Sequence, residues 1–180
     1  MLYALHELQR SLLSPMVTAA SVLKEVTHSP LNPLRDLPFV RAVGANSELF
    51  TRLMQRYHKP NWDIETVDVD GKPVAVKTEI TIDKPFCKLI HFRKETKVKG
   101  PKLLIVAPLS GHFATLLRDT VRTTLADHDV WVTDWVDAKM VPLSDGEFRL
   151  EDYVDYIKEF ICSLAPRLNV MSVCQPTVPV

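Results

Sequence analysis

The stretch LLIVAPLSGHFATLLRDTVRTTLADHDVWVT, residues 103–133, decides the fold class of this chain. It begins with a run of apolar residues at 103–107, which is typical of a strand that is buried on both faces. Apolar residues at helical spacing follow between residues 113 and 125, and a second buried strand is predicted at 130–133. Because a strand, a helix and a strand in this order form a crossover, the stretch predicts two parallel strands of one sheet.

The alternation of strands and helices continues towards residue 180. Residues 150–164 again carry apolar side chains at helical spacing, and residues 170–173 form a third short strand run. The resulting βαβαβ pattern predicts a third parallel strand in the centre of the sheet, with residues 103–107 and 130–133 as its neighbours.

Upstream of residue 100 the pattern is that of antiparallel strands. Apolar and polar residues alternate over 74–82 and again over 86–92, as in half-buried strands. The dipeptide Asp70-Gly71 is a strong hairpin signal, and it predicts that residues 62–69 pair with the strand over 74–82. An antiparallel start followed by a parallel βαβαβ unit is the order of the first half of an α/β-hydrolase, which is the predicted fold.

The first 60 residues are predicted to be helical. Apolar spacing indicates a helix over residues 1–27 that is interrupted near Pro15, with a core-facing stripe formed by Leu2, Leu5, Leu8 and Leu12. Three prolines between residues 30 and 38 indicate a loop, and Asn46 is a good N-cap for a second helix. We therefore predict a helical extension over residues 1–60 and the first half of an α/β domain over residues 61–180.

Composition disfavours several classes of protein. The chain has 22 Lys and Arg against 22 Asp and Glu, and this zero net charge argues against a dedicated nucleic-acid binder. Its three cysteines are too scattered for a disulfide framework, and neither they nor the six histidines have metal-ligand spacing, so no metal site is predicted. The sequence carries no secretory signal and no apolar run of membrane-spanning length. These features predict a cytoplasmic protein without a transmembrane segment.

Cys174 is the candidate nucleophile. It follows the third predicted parallel strand, where an α/β-hydrolase carries its nucleophile on a sharp turn between strand and helix. Its context is S-V-C-Q-P rather than G-x-S-x-G, but Ser172 is small enough for the turn to close, and Pro176 falls where no N–H is needed. Gln175 keeps the backbone N–H that supplies one donor of an oxyanion hole. From position alone, Cys174 can also be a small buried residue that ends a strand.

Two further loops are expected to contribute to the same site. In this fold the loop after the first parallel strand supplies the second oxyanion donor, which we assign to the backbone of Leu109 or Ser110. His112 lies in that loop, and Asp134 and Trp135 follow the second parallel strand. Because the carboxyl ends of strands carry ligands in α/β folds, these three residues are candidates for lining the substrate.

Five segments of the chain resemble the intracellular polyhydroxybutyrate depolymerases. They are MLYALHELQR (1–10), APLSGHFATLLRDTV (107–121), TDWVDAKMVPL (133–143), LEDYVDYI (150–157) and SVCQPTVPV (172–180), which are spread over the whole chain. Members of that family are α/β-hydrolase esterases that degrade stored polyester granules inside bacteria with a Cys–His–Asp triad. The S-V-C-Q-P turn carries the resemblance most specifically, and it implies that Cys174 is the nucleophile.

The resemblance implies a reaction, a partner and a longer enzyme. The reaction is hydrolysis of the ester bonds of poly(3-hydroxybutyrate) through a thioester on Cys174, without a cofactor and at the surface of a cytoplasmic storage granule. The nucleophile precedes the acid and the His along the chain of this fold, so the triad Asp and His are expected beyond residue 180. The 180-residue chain is accordingly expected to be an inactive N-terminal part, with His112 as its one internal candidate for a base.

Two other functions stay open. An acyltransferase similar to the polyester synthases also uses a nucleophilic cysteine, although its turn is flanked by Gly, and Ser172 and Pro176 argue against it. The other possibility is a non-catalytic granule protein whose N-terminal helices adsorb to the polymer.

Overall fold

The chain divides into two compact units, Met1–His58 and Lys59–Val180. The structure is a computed structural model that describes residues 2–55, 59–97, 100–109, 113–172 and 174–180, with the backbone alone at residues 2–7 and 10. The first unit is helical and the second is a mixed α/β unit. Among the described residues, no helix is both long and apolar enough to cross a membrane.

The helical unit consists of α1 (Leu2–His28) and α2 (Pro38–Met54), which pack against each other. Small residues mediate the contact, because the buried residues of α2 are Gly44 and Ser47. A Cβ atom at Gly44 would lie 2.7 Å from Thr27 Oγ1, so a larger residue would force the side chains of α1 to shift.

Two predictions for α1 are wrong. The helix continues through Pro15, although a proline removes one helical hydrogen bond. Pro15 and Ser11, four residues earlier, are both exposed, so water can reach the Ser11 carbonyl that Pro15 leaves without a donor. Leu8 and Leu12 do not face a core, since both side chains are exposed, and the side chains of Leu2 and Leu5 lie outside the described ones.

The start of α2 also differs from the prediction. The helix begins at Pro38, eight residues before the predicted N-cap at Asn46. Proline is favoured in the first helical turn, where its missing N–H has no partner to lose, so Pro38 starts a helix rather than extending the loop. Asn46 lies inside the helix, where its side-chain Nδ2 donates to the Ala42 carbonyl at 2.8 Å.

Six strands and two helices make up the α/β unit. They are β1 (Thr66–Val69), β2 (Lys72–Asp83), β3 (Cys87–Lys94), β4 (Lys102–Val106), α3 (Arg118–Leu125), β5 (Asp129–Trp135), α4 (Leu150–Leu164) and β6 (Leu168–Ser172). The strands form one sheet in the order β1-β2-β3-β5-β4-β6. The pairs from β1 to β5 are antiparallel, whereas β4 is parallel to both β5 and β6. The predicted change from antiparallel strands to parallel strands is therefore confirmed, and the fold is a mixed α/β fold.

The position of β6 corrects the prediction of a central third strand. β6 pairs with β4 alone and lies at the edge of the described sheet, so residues 130–133 are not its neighbours. The β4 strand is the central one of the three parallel strands. Burial agrees with this order, because all seven residues of β5 are buried while every described residue of β6 is partly or fully exposed.

The predicted hairpin between β1 and β2 is confirmed, although β1 is shorter than the predicted 62–69. Val69 pairs with Lys72, and the two residues between them have positive φ angles of 53° at Asp70 and 77° at Gly71. Two successive positive φ angles define the type I′ turn, whose twist matches that of the strands. The Asp68 carboxylate accepts a hydrogen bond from the Gly71 N–H at 2.8 Å.

Apolar side chains of β3, of the parallel strands and of both helices form the core of the α/β unit. The largest of the fully buried ones are Phe92, Phe160, Leu89, Leu104, Ile105, Leu125 and Ile157. This core holds the carboxyl ends of β4, β5 and β6 at one edge of the sheet.

Candidate functional site

Cys174 lies two residues beyond the end of β6, in the first turn after the parallel strands. Its side chain is exposed. The turn continues as a short 3₁₀ helix over Gln175–Thr177. The Cys174 carbonyl accepts two hydrogen bonds from Thr177, one from its N–H at 3.1 Å and one from its Oγ1 hydroxyl at 2.7 Å. These two bonds close the turn directly behind the thiol.

The backbone of Cys174 has an unusual conformation. Its φ angle is 68° and its ψ angle is −126°, which is the mirror image of an ordinary extended residue. A side chain other than hydrogen is disfavoured there, since strained conformations of this kind cost about 1–3 kcal/mol. The chain thus carries a strained cysteine at the position predicted for a nucleophile.

Pro176 and Gln175 have different roles in this turn. Pro176 is the buried residue of the 3₁₀ helix, so its ring anchors the turn, and its missing N–H lies in the first turn as predicted. The Gln175 backbone N–H has no acceptor among the described residues, whereas its carbonyl accepts from the Val178 N–H at 3.1 Å. Within the described part of the chain, Gln175 therefore has a backbone donor available next to Cys174.

The Gln175 side chain connects this turn to the loop after β4. Its Oε1 atom accepts a hydrogen bond from the Leu109 N–H at 3.1 Å, across 66 positions of sequence. Leu109 is one of the expected oxyanion donors, so the structure brings two of the predicted site residues into direct contact. Ser110 and His112, the other two predicted site residues of that loop, lie outside the described residues.

Trp135 braces the start of the same loop. Its side chain is buried, and Nε1 donates to the Ala107 carbonyl at 2.9 Å. Thr133, two residues earlier on the same face of β5, accepts the Ala107 N–H on its Oγ1 at 2.9 Å. Both backbone groups of Ala107 are thereby held by β5. Sequence reasoning missed this role of Thr133 and Trp135, although their spacing of two on a strand places both side chains on one face.

Asp134 is also buried rather than open to a substrate. Only 4% of its side chain is exposed, and it forms an ion pair with Lys59. Its Oδ1 atom has no hydrogen-bond partner among the described residues. Trp135 thus supports the loop from inside the fold while Asp134 pairs with Lys59, and neither side chain lines an open surface.

The two other cysteines provide a comparison for Cys174. Cys87 is fully buried, and burial together with the nearby Asp134 carboxylate raises the pKa of its thiol well above the usual range. Cys162 is exposed on α4, within regular helix. All three thiols are free. Cys174 and Cys162 are therefore the accessible thiols, and they differ in backbone conformation.

The described residues contain no group of three or more His, Cys, Asp or Glu side chains that could hold a metal ion. Comparison of the chain with protein-family models, with curated proteins and with solved structures finds no match. The resemblance to the polyhydroxybutyrate depolymerases thus stays a prediction from the sequence segments, and the geometry around Cys174 has to carry any functional conclusion.

Proposed function

We propose that Cys174 is the nucleophile of a carboxylic ester hydrolase of the intracellular polyhydroxybutyrate depolymerase type. The observation that carries this proposal is the positive φ angle of Cys174 in the turn after the third parallel strand. Strained non-glycine residues cluster at active sites, and an α/β-hydrolase nucleophile stands on such a turn so that its side chain projects from the sheet. The order of antiparallel and parallel strands supports the same class of fold.

The proposed reaction proceeds through a thioester. The Cys174 thiolate attacks the carbonyl carbon of an ester bond between two 3-hydroxybutyrate units, and the carbonyl oxygen becomes negatively charged. Backbone N–H groups of Gln175 and of the loop at Leu109 and Ser110 stabilise this oxygen. The carbon–oxygen bond of the ester then breaks, the departing alkoxide takes up a proton, and the acyl group remains on sulfur. Water attacks the thioester, which releases a carboxylic acid and restores the thiol.

The test measures acylation of the 180-residue chain with p-nitrophenyl 3-hydroxybutyrate. We expect release of about one equivalent of p-nitrophenol, and mass spectrometry should locate the acyl group on Cys174 rather than on Cys162. Cys162 is the matched control because it is an exposed thiol in ordinary helical conformation. Equal rates of acylation at the two thiols would refute the proposal.

Two variants and a turnover measurement complete the experiment. Cys174→Ala should lose the rapid acylation and Cys162→Ala should keep it. Hydrolysis of the thioester needs a base to activate water, and the described residues place none in hydrogen-bond contact with Cys174, so we expect one acylation per molecule rather than repeated turnover. Repeated turnover that disappears in His112→Ala would instead make His112 the base.

A second candidate function, adsorption to a polymer surface, is favoured by the helical unit. Exposed apolar side chains follow one face of α1 at spacings of three and four residues, and no charged residue lies between positions 11 and 23. The described members of this face are Leu8, Leu12, Met16, Ala19, Leu23 and Val26. An uninterrupted apolar face of this kind is suited to an apolar partner such as the polyester granule.

Adsorption can be measured apart from catalysis. The Cys174→Ala protein should bind amorphous poly(3-hydroxybutyrate) particles, and the double change Leu12→Gln and Leu23→Gln should lower the bound fraction severalfold. Ile80→Gln is the control, because Ile80 is an exposed apolar residue of the α/β unit. Unchanged binding of the double variant would exclude α1 as the adsorbing surface.

A further inference from the structure

The hydrogen bond between Gln175 and Leu109 joins the two loops that carry the expected oxyanion donors. We propose that the Gln175 side chain takes the place of the substrate carbonyl, accepting the Leu109 N–H until an ester displaces it. This inference rests on the proposed function, because it assigns Leu109 N–H to the oxyanion hole. Gln175 is then a positioning residue, because its side chain keeps the Leu109 N–H oriented. An ester has to replace this hydrogen bond before it can bind.

The chemistry of the contact supports this role. Oε1 of Gln175 is a carbonyl oxygen, as is the ester oxygen that the site has to bind, and it lies 3.1 Å from the Leu109 nitrogen. A peptide N–H without a protein acceptor at this edge would bind water instead. An amide oxygen therefore already occupies the Leu109 donor at a distance that an ester carbonyl oxygen would also adopt.

The Gln175 side chain is also free to leave. Gln175 is exposed, and the contact with the Leu109 N–H is the side-chain hydrogen bond that the described residues give it. A neutral hydrogen bond of this kind is weak in net terms because water competes for both partners, so an ester can displace it. The Gln175 backbone N–H has no acceptor among the described residues, so displacement of the side chain would leave neither this donor nor the Leu109 N–H with an acceptor there.

A permanent brace is the competing role for the same contact. In that case Gln175 would hold the loop in its active shape throughout the reaction, and its removal would slow acylation. In the displaceable role its removal relieves a competitor and accelerates acylation. Whether removal of the Gln175 acceptor raises or lowers the acylation rate therefore distinguishes the displaceable role from the permanent brace.

The experiment combines kinetics with amide exchange. Gln175→Met keeps nearly the same side-chain length and removes the acceptor. We expect it to acylate Cys174 with p-nitrophenyl 3-hydroxybutyrate about 2- to 10-fold faster, the range that corresponds to one neutral hydrogen bond. Hydrogen exchange of the Leu109 amide, followed by NMR, should become several-fold faster.

Two further variants serve as comparisons. Gln175→Glu supplies a stronger, charged acceptor and should acylate more slowly than the unchanged protein. Gln55→Met, an exposed change in the helical unit, should alter neither measurement.

Three outcomes would overturn the inference. Slower acylation in Gln175→Met, together with faster Leu109 exchange, would show a brace. Unchanged Leu109 exchange in Gln175→Met would show that the contact is not formed in solution. If Cys174 is no more reactive than Cys162 in every variant, the proposed function fails and the role of Gln175 fails with it, while the exchange measurement still reports whether the contact exists.

Discussion

Cys174 is one of four non-glycine residues with a positive φ angle among the described residues, and its ψ angle lies outside the left-handed helical region. A φ angle of 68° with a ψ angle of −126° is accessible to glycine and costly for any residue with a Cβ atom. The S-V-C-Q-P segment predicts where the turn lies, but it does not reveal this strain. Strain at one exposed residue is retained when the surrounding bonds over-determine it, as the two hydrogen bonds from Thr177 do here.

Replacing Cys174 with glycine should therefore stabilise the protein. We expect Cys174→Gly to raise the free energy of unfolding by about 1 kcal/mol, because relief of strain exceeds the added entropy of the unfolded chain. The matched change Cys162→Gly lies within α4 and should lower it by about 1 kcal/mol. Urea denaturation measures the free energy of unfolding of both variants. A loss of stability in Cys174→Gly would contradict the positive φ angle at this residue.

Tyr153 carries a buried hydroxyl without a hydrogen-bond partner among the described residues. Because an unpaired buried hydroxyl is costly, Tyr153→Phe should leave stability at pH 7 unchanged or raise it by about 1 kcal/mol. Tyr156→Phe is the control, since the Tyr156 hydroxyl interacts with the Phe86 backbone and its removal should cost stability. A clear loss of stability in Tyr153→Phe would mean that the hydroxyl has a partner.

Tyr153 should also make the free energy of unfolding depend on pH in the alkaline range. Burial, reinforced by the nearby Cys87, raises the pKa of Tyr153 to about 12. Above pH 10 the unfolded chain loses this proton while the folded protein keeps it, so stability falls as pH rises towards 12. Tyr153→Phe should make that fall shallower, by up to about 1.4 kcal/mol per pH unit. Equal slopes for the two proteins in urea titrations at pH 9 to 11 would disprove this assignment.

At the scale of elements, the turn between α3 and β5 packs against the residue that leads into β4. A Cβ atom at Gly100 would lie 1.8 Å from the Asp127 carbonyl oxygen, a backbone atom that cannot move alone. The Asp129 N–H donates to the Pro101 carbonyl at 3.0 Å and holds the same two segments together. Glycine is required here by contact with a neighbouring segment, and the sequence of residues 100–102 contains no sign of that neighbour.

Gly100→Ala should accordingly be one of the most damaging small changes in the chain. We expect a loss of about 3 kcal/mol or more in the free energy of unfolding, because the backbone of a parallel strand has to shift. Gly44→Ala is the comparison, since the closest atoms there belong to the side chains of Thr27 and His28, and alanine favours the helix. Gly44→Ala should lower the free energy of unfolding by about 1 kcal/mol. If thermal unfolding shows a larger loss of stability for Gly44→Ala than for Gly100→Ala, the close packing at Gly100 is contradicted.

On the scale of the whole molecule, the two units differ in how much they bury. Gly44 and Ser47 are the buried residues of α2, whereas all seven residues of β5 are buried. Hydrogen exchange detected by mass spectrometry should therefore show much weaker protection in α1 and α2 than in β3, β4 and β5, because local opening is easiest where few apolar contacts are lost. Equal protection in the two units would show that the apolar face of α1 is covered in solution.

The sequence by itself determined the kind of elements and their order. Period-2 patterns, the Asp70-Gly71 turn and the alternating strand and helix segments act over a few neighbouring residues, so they could be interpreted without coordinates. The start of α2 was missed because proline is compatible both with a loop and with a first helical turn, and the local sequence does not separate the two.

Tertiary structure alone decided the order of strands and the contacts at the site. The edge position of β6 depends on the side of β4 to which each crossover returns, which strand composition does not encode. The contact of Gln175 with Leu109 and the hold of Thr133 and Trp135 on Ala107 join residues that lie 26 to 66 positions apart. The strain at Cys174 likewise depends on the pairing of β6 with β4 before it and on the hydrogen bonds from Thr177 after it. Each of these features is a property of packed neighbours, and packing exists only once the chain has folded.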